Sequence, residues 1–374
     1  MDHEDRLAAL RLHLVTGIGP RLFAALTEHF GSARAAAEAS AGALAQVRGI
    51  GSDSAARMRE GLGQADPEAE FEKARAYGVN IYIRGDPEYP IALTYLTDAP
   101  PVLYVKGTVV AEDAQAMGVV GMRKCSFYGA DQAQRLAGGL ARAGFTIVSG
   151  LARGIDSAAH KGALAAGGRT LAVLGNGLAT VYPPENKQLA AAVAARGALI
   201  SEFPMDVGPA AENFPRRNRL LAALSLGVIV VEAGKQSGAL ITARLAAELG
   251  KEVFAVPNRV DELGAAGVHA LIRDGAKLVE SVADVLDEFP DLGVAAPAGE
   301  DAGRQGTLAL KANLSAEEAR LVEVLDGEPT PLDVLASRAG IEAAKAAGAM
   351  TLLELKGLVR ALPGGRFIRR QTNR

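Results

Sequence analysis

The densest group of cations in the chain follows an aromatic residue. Residues Asn213–Arg219 have the sequence NFPRRNR. Guanidinium groups follow a phosphate backbone, and an aromatic ring stacks on an unpaired base for ~1–3 kcal/mol. At this spacing the arginines leave a helix on different faces, so we expect at least one to pair with a carboxylate such as Glu202 or Glu232. The segment predicts contacts with a single nucleic-acid strand from Phe214, Arg216, Arg217, Asn218 and Arg219.

Two loops upstream combine glycine with cations. Residues Gly121–Lys124 read GMRK and residues Ser149–Asp156 read SGLARGID. Glycine lets a ligand approach the backbone, and cations at the start of a helix suit an anion. Neither loop is the dinucleotide fingerprint, because Gly-x-Gly-x-x-Gly and its acidic ribose ligand are absent. The loops predict phosphate contacts from Arg123, Lys124 and Arg153, with Asp156 as the N-cap of the next helix.

Two further loops complete the predicted site. Tyr182–Lys187 (YPPENK) offers an aromatic face and a cation. Ser237-Gly238 precedes a helix whose first N–H groups can turn toward an anion, although a plain N-cap explains the pair equally well. Lys187, Ser237 and Gly238 therefore join the predicted DNA-binding residues.

No catalytic set emerges from the sequence. It has no Gly-x-Ser-x-Gly elbow, no Gly-x-x-x-x-Gly-Lys-Ser/Thr loop and no metal-ligand spacing. Glu202 and Glu232, expected at the ends of neighbouring strands, form the one pair suited to acid–base work, and they serve equally as arginine anchors. The single cysteine, Cys125, makes no internal disulfide and favours a reducing compartment. We predict no catalytic residue, metal or cofactor.

Short apolar runs alternate with amphipathic stretches between residues 113 and 289. This alternation predicts a parallel sheet with helices on both faces, and ligands bind such sheets beyond the carboxyl ends of the strands. The expected strands are Gly118–Val120, Thr146–Ser149, Thr170–Leu174, Ala198–Ser201, Val228–Glu232, Glu252–Val256 and Lys277–Val279. The expected helices are Tyr128–Ala143, Ser157–Ala166, Glu185–Ala195, Phe214–Ala223, Ala239–Leu249 and Val268–Arg273.

The flanking regions have other patterns. Residues 1–64 predict helices around two similar turns, Gly17–Gly19 and Gly49–Gly51, as in a helix-hairpin-helix pair whose turns either contact phosphate or only reverse the chain. Residues 65–112 form a bridging extension with two strands, and 290–312 a linker. Residues 313–374 predict helices near 315–326, 331–339 and 348–360, then a glycine turn and a short strand, as in a winged helix. Its basic end includes Arg366, Arg369, Arg370 and Arg374.

The composition is that of a globular chain. Of 374 residues, 49% are hydrophobic and 22% are charged. The formal net charge of −3 excludes a wholly basic DNA-coating protein but permits a local basic groove. The N-terminus lacks a signal-peptide pattern, and no stretch approaches the ~18 apolar residues of a membrane span. We expect a cytoplasmic protein that does not bind membranes.

Together the loops resemble the DNA processing protein A family, also called DprA or Smf. The similar segments are Gly121–Lys124, Ser149–His160, Val181–Asn186, Ser201-Glu202, Phe214–Arg219, Val231–Ala243, His269–Ala276, Leu353–Val359 and Gly364–Phe367. The resemblance implies an extended Rossmann-like α/β domain between a SAM-like or helix-hairpin-helix region and a winged helix. It also implies single-stranded DNA binding, a homodimer, and loading of the RecA recombinase during natural transformation. Carried over, the binding residues are Arg123, Lys187, Phe214 and the arginines after it.

The chain departs from the family pattern in two loops. Met122 stands where the family has the serine of Gly-Ser-Arg, and Asn258 follows Val256-Pro257 where the family has glycine. A nucleotide phosphoribohydrolase on a related scaffold is the alternative function, but Glu232–Ala243 lacks the double glycine and final glutamate of that group. A regulator whose winged helix binds duplex DNA is disfavoured by Glu317, Glu318 and Glu342.

Overall fold

The computed structural model describes residues 2–292, 314–325, 328–356 and 358–369. The chain divides into two compact units, one of Met1–Cys125 and Gln132–Val294, the other of Ser126–Asp131 and Ala295–Arg374. Residues 293–312 of the predicted linker, together with Arg370 and Arg374, lie outside the described residues. No helix among those described is long and apolar enough to cross a membrane.

The first unit begins with helices. These are α1 (His3–Leu14), α2 (Pro20–Phe30), α3 (Ala33–Glu38), α4 (Ala41–Leu44), α5 (Ser52–Gln64) and α6 (Pro67–Ala76). Gly17 and Gly49 have φ of 94° and 93°, a left-handed conformation that glycine adopts without strain. Helices α2 and α5 start directly after the two turns, so the predicted helix-hairpin-helix pair is confirmed.

A nine-stranded sheet follows. Its strands are β1 (Asn80–Ile83), β2 (Val102–Gly107), β3 (Ala116–Val120), β4 (Thr146–Ser149), β5 (Thr170–Val173), β6 (Ala198–Ser201), β7 (Gly227–Val230), β8 (Glu252–Ala255) and β9 (Lys277–Leu278). The order is β1-β2-β6-β5-β4-β3-β7-β8-β9. Strands β3 to β9 are parallel, whereas β2 pairs antiparallel with β6 and with β1. The seven predicted strands are all present, with ends within two residues of the prediction.

Helices cover both faces of this sheet. They are α7 (Ile91–Thr94), α8 (Phe127–Arg142), α9 (Ile155–Ala165), α10 (Lys187–Arg196), α11 (Asn213–Leu224), α12 (Gly238–Glu248), α13 (Ala265–Arg273) and α14 (Val282–Leu286). Alternate residues of β2 enter different hydrophobic clusters, Leu103 and Val105 one, Val102 and Tyr104 the other. Every residue of β3 to β7 is buried, as a sheet covered on both faces requires.

Two local predictions were wrong. Asp156 is not the N-cap of α9, because Gly154 occupies that position and the Asp156 carboxylate accepts instead from the preceding loop. Glu202 and Glu232 do not follow neighbouring strands, because β5, β4 and β3 separate β6 from β7. Four strand spacings place the two strand ends about 19 Å apart, so these carboxylates do not form an acid–base pair.

The second unit contains a winged-helix arrangement. Its elements are α15 (Ala316–Val324), β10 (Thr330–Pro331), α16 (Leu332–Ala339), α17 (Ala343–Leu355), β11 (Val359–Leu362) and β12 (Arg366–Arg369). The strands form an antiparallel sheet in the order β10-β12-β11. The third helix was predicted near 348–360, but it begins earlier, at Ala343, and ends at Leu355. Its buried face already includes Ala346, and it continues with Ala349, Met350 and Leu353. Ser315 is the N-cap of α15 and forms a capping box with Glu318.

Candidate nucleic-acid interface

A pocket of about 200 Å³ lies at the carboxyl edge of the sheet. The chain runs outward from β3 through β4 to β6 on one side and from β7 to β9 on the other, so β3 and β7 flank the switch point where open α/β sheets bind ligands. The loops after β3 and β4 and the first turns of α11 and α12 line the pocket. Six predicted residues lie in this lining: Arg123, Phe214, Arg217, Asn218, Ser237 and Gly238.

The Phe214 ring carries a cation on its face. The Arg123 guanidinium carbon lies 4.7 Å from the ring centroid, the geometry of a cation–π contact. The Tyr182 ring is tilted beside it at 6.3 Å. A Cβ on Gly175 would lie 3.1 Å from the Phe214 ring, so a larger residue there would press on it. Arg123 and Phe214 therefore form a layered platform at the rim of the pocket.

Arg217 lines the same pocket and is only 5% exposed. Its Nη1 donates to the Val173 carbonyl at 2.8 Å. A Cβ on Gly150 would lie 1.5 Å from that nitrogen, so only glycine fits under the guanidinium. Burial lowers the pKa of Arg217, and the Asp156 carboxylate partly opposes this effect. The fold thus keeps a buried cation next to a pocket that opens to solvent.

Asp156 is the carboxylate of the pocket lining. Its Oδ2 accepts from the backbone N–H groups of Gly150 at 3.1 Å and Ala152 at 3.4 Å. Burial raises the pKa of Asp156, whereas Arg217 and the two N–H groups oppose the rise. The carboxylate thereby holds the loop after β4 in shape, whereas the sequence analysis predicted that it caps the following helix.

One positioning residue escaped the sequence analysis. Asn186, inside the VYPPEN segment, is buried, and its Nδ2 donates to the Leu151 carbonyl at 2.8 Å and to Ser157 Oγ at 2.9 Å. This amide fixes the loop before α10 to the loop after β4. Pro183-Pro184 indicates a chain reversal, but nothing in the local sequence indicates that the side chain of Asn186 after it is buried.

Other predicted residues lie outside the main pocket. Arg153 is exposed, pairs with Glu185, and lines a smaller adjoining recess with Arg123, Tyr182 and Phe214. Lys124 and Lys187 are exposed beyond the lining. Ser237 is the N-cap of α12, accepting from the Ala239 N–H at 3.3 Å. Ser237 therefore both caps α12 and lines the pocket.

Arg216 and Arg219 face away from the pocket. Arg219 is 8% exposed and its guanidinium binds Glu202, with Asp98 at 3.4 Å. Arg216 stacks over Phe203 at 4.9 Å and lies 3.9 Å from Glu202. The expected pairing of an arginine with Glu202 is confirmed, and both arginines connect α11 to this residue directly after β6.

The departure at Asn258 also has a structural role. Its Nδ2 donates to Glu232 Oε1 at 3.2 Å, and its carbonyl oxygen lies 2.9 Å from His269 Nε2. The Glu232 carbonyl in turn accepts from the Met122 N–H at 2.9 Å. Glu232 therefore connects the loops after β3 and β8. Within the described ranges, no group of three His, Cys, Asp or Glu side chains is placed to hold a metal ion.

Sequence comparison agrees with this architecture. Residues 80–290 match the family model of DNA recombination-mediator protein A, residues 306–365 that of the DprA winged-helix domain, and residues 10–64 that of a SAM-like helix-hairpin-helix tandem. The chain belongs to the DNA recombination-mediator protein A family. This is the DprA/Smf family that the loop motifs indicated, and its three-part organisation corresponds to the regions seen in the structure.

Individual family members are similar over most of the chain. Protein Smf of Escherichia coli is 41% identical over 74% of this chain and 74% of its own, and Protein Smf of Synechocystis is 33% identical over 95% and 96%. The crystal structure of DprA from Streptococcus pneumoniae matches with a TM-score of 0.67 at 36% identity, covering 77% and 98%. A Helicobacter pylori DNA processing protein A, described for its single-stranded DNA binding mode, matches with a TM-score of 0.52 at 30% identity, covering 57% and 96%.

Proposed function

We propose that this DprA/Smf family member binds single-stranded DNA in the pocket between β3 and β7 and has no catalytic activity of its own. The observation that carries the proposal is the Arg123–Phe214 platform, which lines the same pocket as the buried Arg217. An aromatic ring layered with guanidinium groups stacks unpaired bases and attracts the backbone that connects them. The single-stranded DNA named for the Helicobacter pylori relative supports the same ligand here.

The predicted residues divide into three roles under this proposal. Arg123, Phe214, Arg217, Asn218 and the Ser237-Gly238 turn contact the strand in the pocket. Lys124, Arg153 and Lys187 attract its phosphates along the rim, where their exposed ammonium and guanidinium groups are screened by salt. Arg216 and Arg219 hold α11 through Glu202 and do not contact DNA.

The proposal extends to a cytoplasmic role in natural transformation. In that role the protein protects incoming strands and loads the RecA recombinase onto them as a homodimer. The dimer is what the resemblance to the family implies. Light scattering measures the dimer. Loading is measured as the lag before RecA assembles on strands precoated by a single-strand-binding protein. The lag should be shorter when this protein is present.

Fluorescence anisotropy with a labelled oligonucleotide, first single-stranded and then duplexed, tests the binding proposal. We expect tighter binding of the single strand, and an affinity that falls as salt rises. Arg123→Ala should lower the salt slope by roughly 0.7, because one phosphate of the single strand is then no longer neutralised. Arg244→Ala is the matched control, since Arg244 is exposed on α12 outside the pocket lining. Equal affinity for duplex and single strand would overturn the proposal.

A further inference from the structure

A second pocket, of about 270 Å³, lies where the N-terminal helices meet the antiparallel end of the sheet. Its lining comes from α1, α2 and the start of α3 on one side, and from the end of β1 and the segment before β2 on the other. Phe23 and Ala33 pack against the hydrophobic clusters of both regions. The pocket therefore lies at a junction inside the first unit, and it shares no lining residue with the pocket between β3 and β7.

Most of this lining is apolar. It includes Ala9, Phe23, Ala24, Ala33 and Ile83. Apolar walls with a few polar groups are typical of sites for small molecules, and the volume lies just below the ~300–1,000 Å³ of pockets for drug-sized ligands. The space suits a small metabolite or a single side chain, and it is too small for a helix with a diameter of ~10 Å.

Hydrogen bonds within the protein hold the walls of this pocket. The Arg84 N–H donates to the Pro101 carbonyl at 2.9 Å. Arg6 Nη1 donates to the Asp86 carboxylate at 2.6 Å, and the same oxygen accepts from the Ile83 N–H at 2.8 Å. These bonds fix α1 to the end of β1, so the pocket is formed before a ligand binds.

Two charged side chains of opposite sign line the pocket. Asp5 is half-buried on α1, and Arg84 is exposed after β1. Among the residues that the structure describes, neither the Asp5 carboxylate nor the Arg84 guanidinium has a hydrogen-bond or ion-pair partner. Ser32 Oγ accepts from the Ala35 N–H at 3.1 Å, which leaves its hydroxyl proton available to donate. The pocket thus combines apolar walls with one acceptor of negative charge, one donor of positive charge and a hydroxyl.

This combination matches a zwitterion with an apolar body. An α-amino acid has an ammonium group that complements Asp5, a carboxylate that complements Arg84, and a side chain for the apolar walls. Hydrogen bonds between such charged groups are about twice as strong as neutral ones. A nucleotide would satisfy Arg84, but its phosphates would be repelled by Asp5. An internal peptide segment has no main-chain charge and would leave both side chains without a partner.

We propose that this pocket binds a free α-amino acid with an apolar side chain, such as leucine. Asp5 accepts from the α-ammonium group, and Arg84 and Ser32 donate to the α-carboxylate. The side chain of the ligand packs against Phe23 and Ile83. Because the ligand contacts both the N-terminal helices and the sheet, its binding stabilises the junction between them. The inference goes beyond single-strand binding and does not depend on it.

The first test compares ligands on the unaltered chain. Leucine at ~10 mM should raise the thermal midpoint by about 2 °C, the shift expected for a tenfold excess over a millimolar Kd in a unit of this size. Leucinamide lacks the carboxylate, N-acetylleucine lacks the ammonium group, and asparagine has the branched shape of leucine with a polar end. In a calorimetric titration each should bind on the order of tenfold more weakly than leucine, because a charged hydrogen bond or the apolar contact is lost.

Three results would overturn the proposal. One is an unchanged midpoint in the presence of leucine. Another is equal affinity for leucine and N-acetylleucinamide, which has neither charge, because the pocket would then accept a side chain of a protein segment. The third is equal affinity for leucine and asparagine, because the apolar walls would then make no contact with the ligand.

The second test separates the two charged groups. Arg84→Gln should reduce the affinity for leucine to that for leucinamide, whereas Asp5→Asn should reduce it to that for N-acetylleucine. Arg21→Gln and Glu4→Gln are the matched controls, because both residues are exposed outside the lining and Glu4 lies in the first turn of α1 beside Asp5. Glu4→Gln removes the same charge from the N-terminus of α1 as Asp5→Asn does. Both controls should bind leucine as the unaltered chain does, and unchanged leucine affinity in either the Arg84 or the Asp5 variant would contradict the proposal.

Discussion

The arginines on the two sides of α11 have different surroundings. On one side, Arg219 is buried against Glu202 and Asp98, and Arg216 covers Phe203. On the other side, Arg217 is equally buried but forms no ion pair with any described carboxylate, and it opens onto the pocket. A buried charge without a partner is expensive for the fold. The paired side stabilises the helix, and we propose that Arg217 on the other side serves the bound strand.

The largest expected effect comes from breaking the paired side. Glu202→Gln removes the charge that Arg219 binds at 8% exposure, and Asp98 at 3.4 Å compensates only in part. Losing one partner of a buried pair costs several kcal/mol, and we expect about 3 kcal/mol of unfolding free energy here. Urea denaturation followed by circular dichroism measures it.

A matched surface pair provides the control for this variant. Glu185 and Arg153 form an ion pair in which both side chains are 50% exposed. Glu185→Gln should leave the free energy of unfolding nearly unchanged, since exposed pairs contribute little. If Glu202→Gln and Glu185→Gln lost equal amounts of unfolding free energy, burial would not determine how much these ion pairs stabilise the fold.

The next prediction concerns the pH dependence of stability that arises from His13, which interacts with the charge of Arg216. Burial, with the Arg216 charge, lowers the pKa of His13 to about 4, so the folded state keeps this ring neutral. The unfolded chain takes up the proton first, near pH 6.5. Stability present above pH 6.5 is therefore lost as the pH falls toward 4, by up to about 3 kcal/mol.

His13→Gln removes this contribution and serves as the comparison. The difference in unfolding free energy between wild type and variant should shrink between pH 7 and pH 4.5, measured by urea titration at each pH. A difference that stays constant over this range would contradict the lowered pKa.

A smaller effect is expected from the pocket side. Phe214→Ala removes the platform under Arg123 and should weaken single-strand binding by about 1–3 kcal/mol, the value of one stacked base. The thermal midpoint should change little, because Phe214 is only half-buried. Anisotropy and a thermal melt on the same preparation separate the two quantities. Tyr95→Ala, which removes a 78% exposed aromatic ring elsewhere, should leave the affinity unchanged.

The sequence predicted the strands and helices of the core closely, because each buried strand is a short apolar run such as Thr146–Ser149 between amphipathic helices. It did not predict which strands are neighbours. Nothing local in the sequence marks the reversal at β3, so Glu202 and Glu232 were expected side by side although three strands separate them.

The candidate site was predicted as a set of residues but not as a geometry. The NFPRRNR segment indicated that some arginine would pair with a carboxylate, and Glu202 confirmed it. Which arginine pairs depends on the rotation of α11 about its own axis, and this rotation is set by packing against α12 and against β3, β4 and β5. The same limit applies to Asp156 and Asn186, whose partners lie on other loops.

Arg217→Met separates a ligand-binding role of Arg217 from a role in the fold, because methionine fills a similar volume without the charge. Single-strand affinity should fall at least tenfold, because the variant loses a charged hydrogen bond to the ligand. Unfolding free energy should fall by less than it does for Glu202→Gln, because methionine gives up the hydrogen bond to the Val173 carbonyl but breaks no buried ion pair. Unchanged affinity, or a stability loss as large as that of Glu202→Gln, would contradict the assignment of Arg217 to the ligand rather than to the fold.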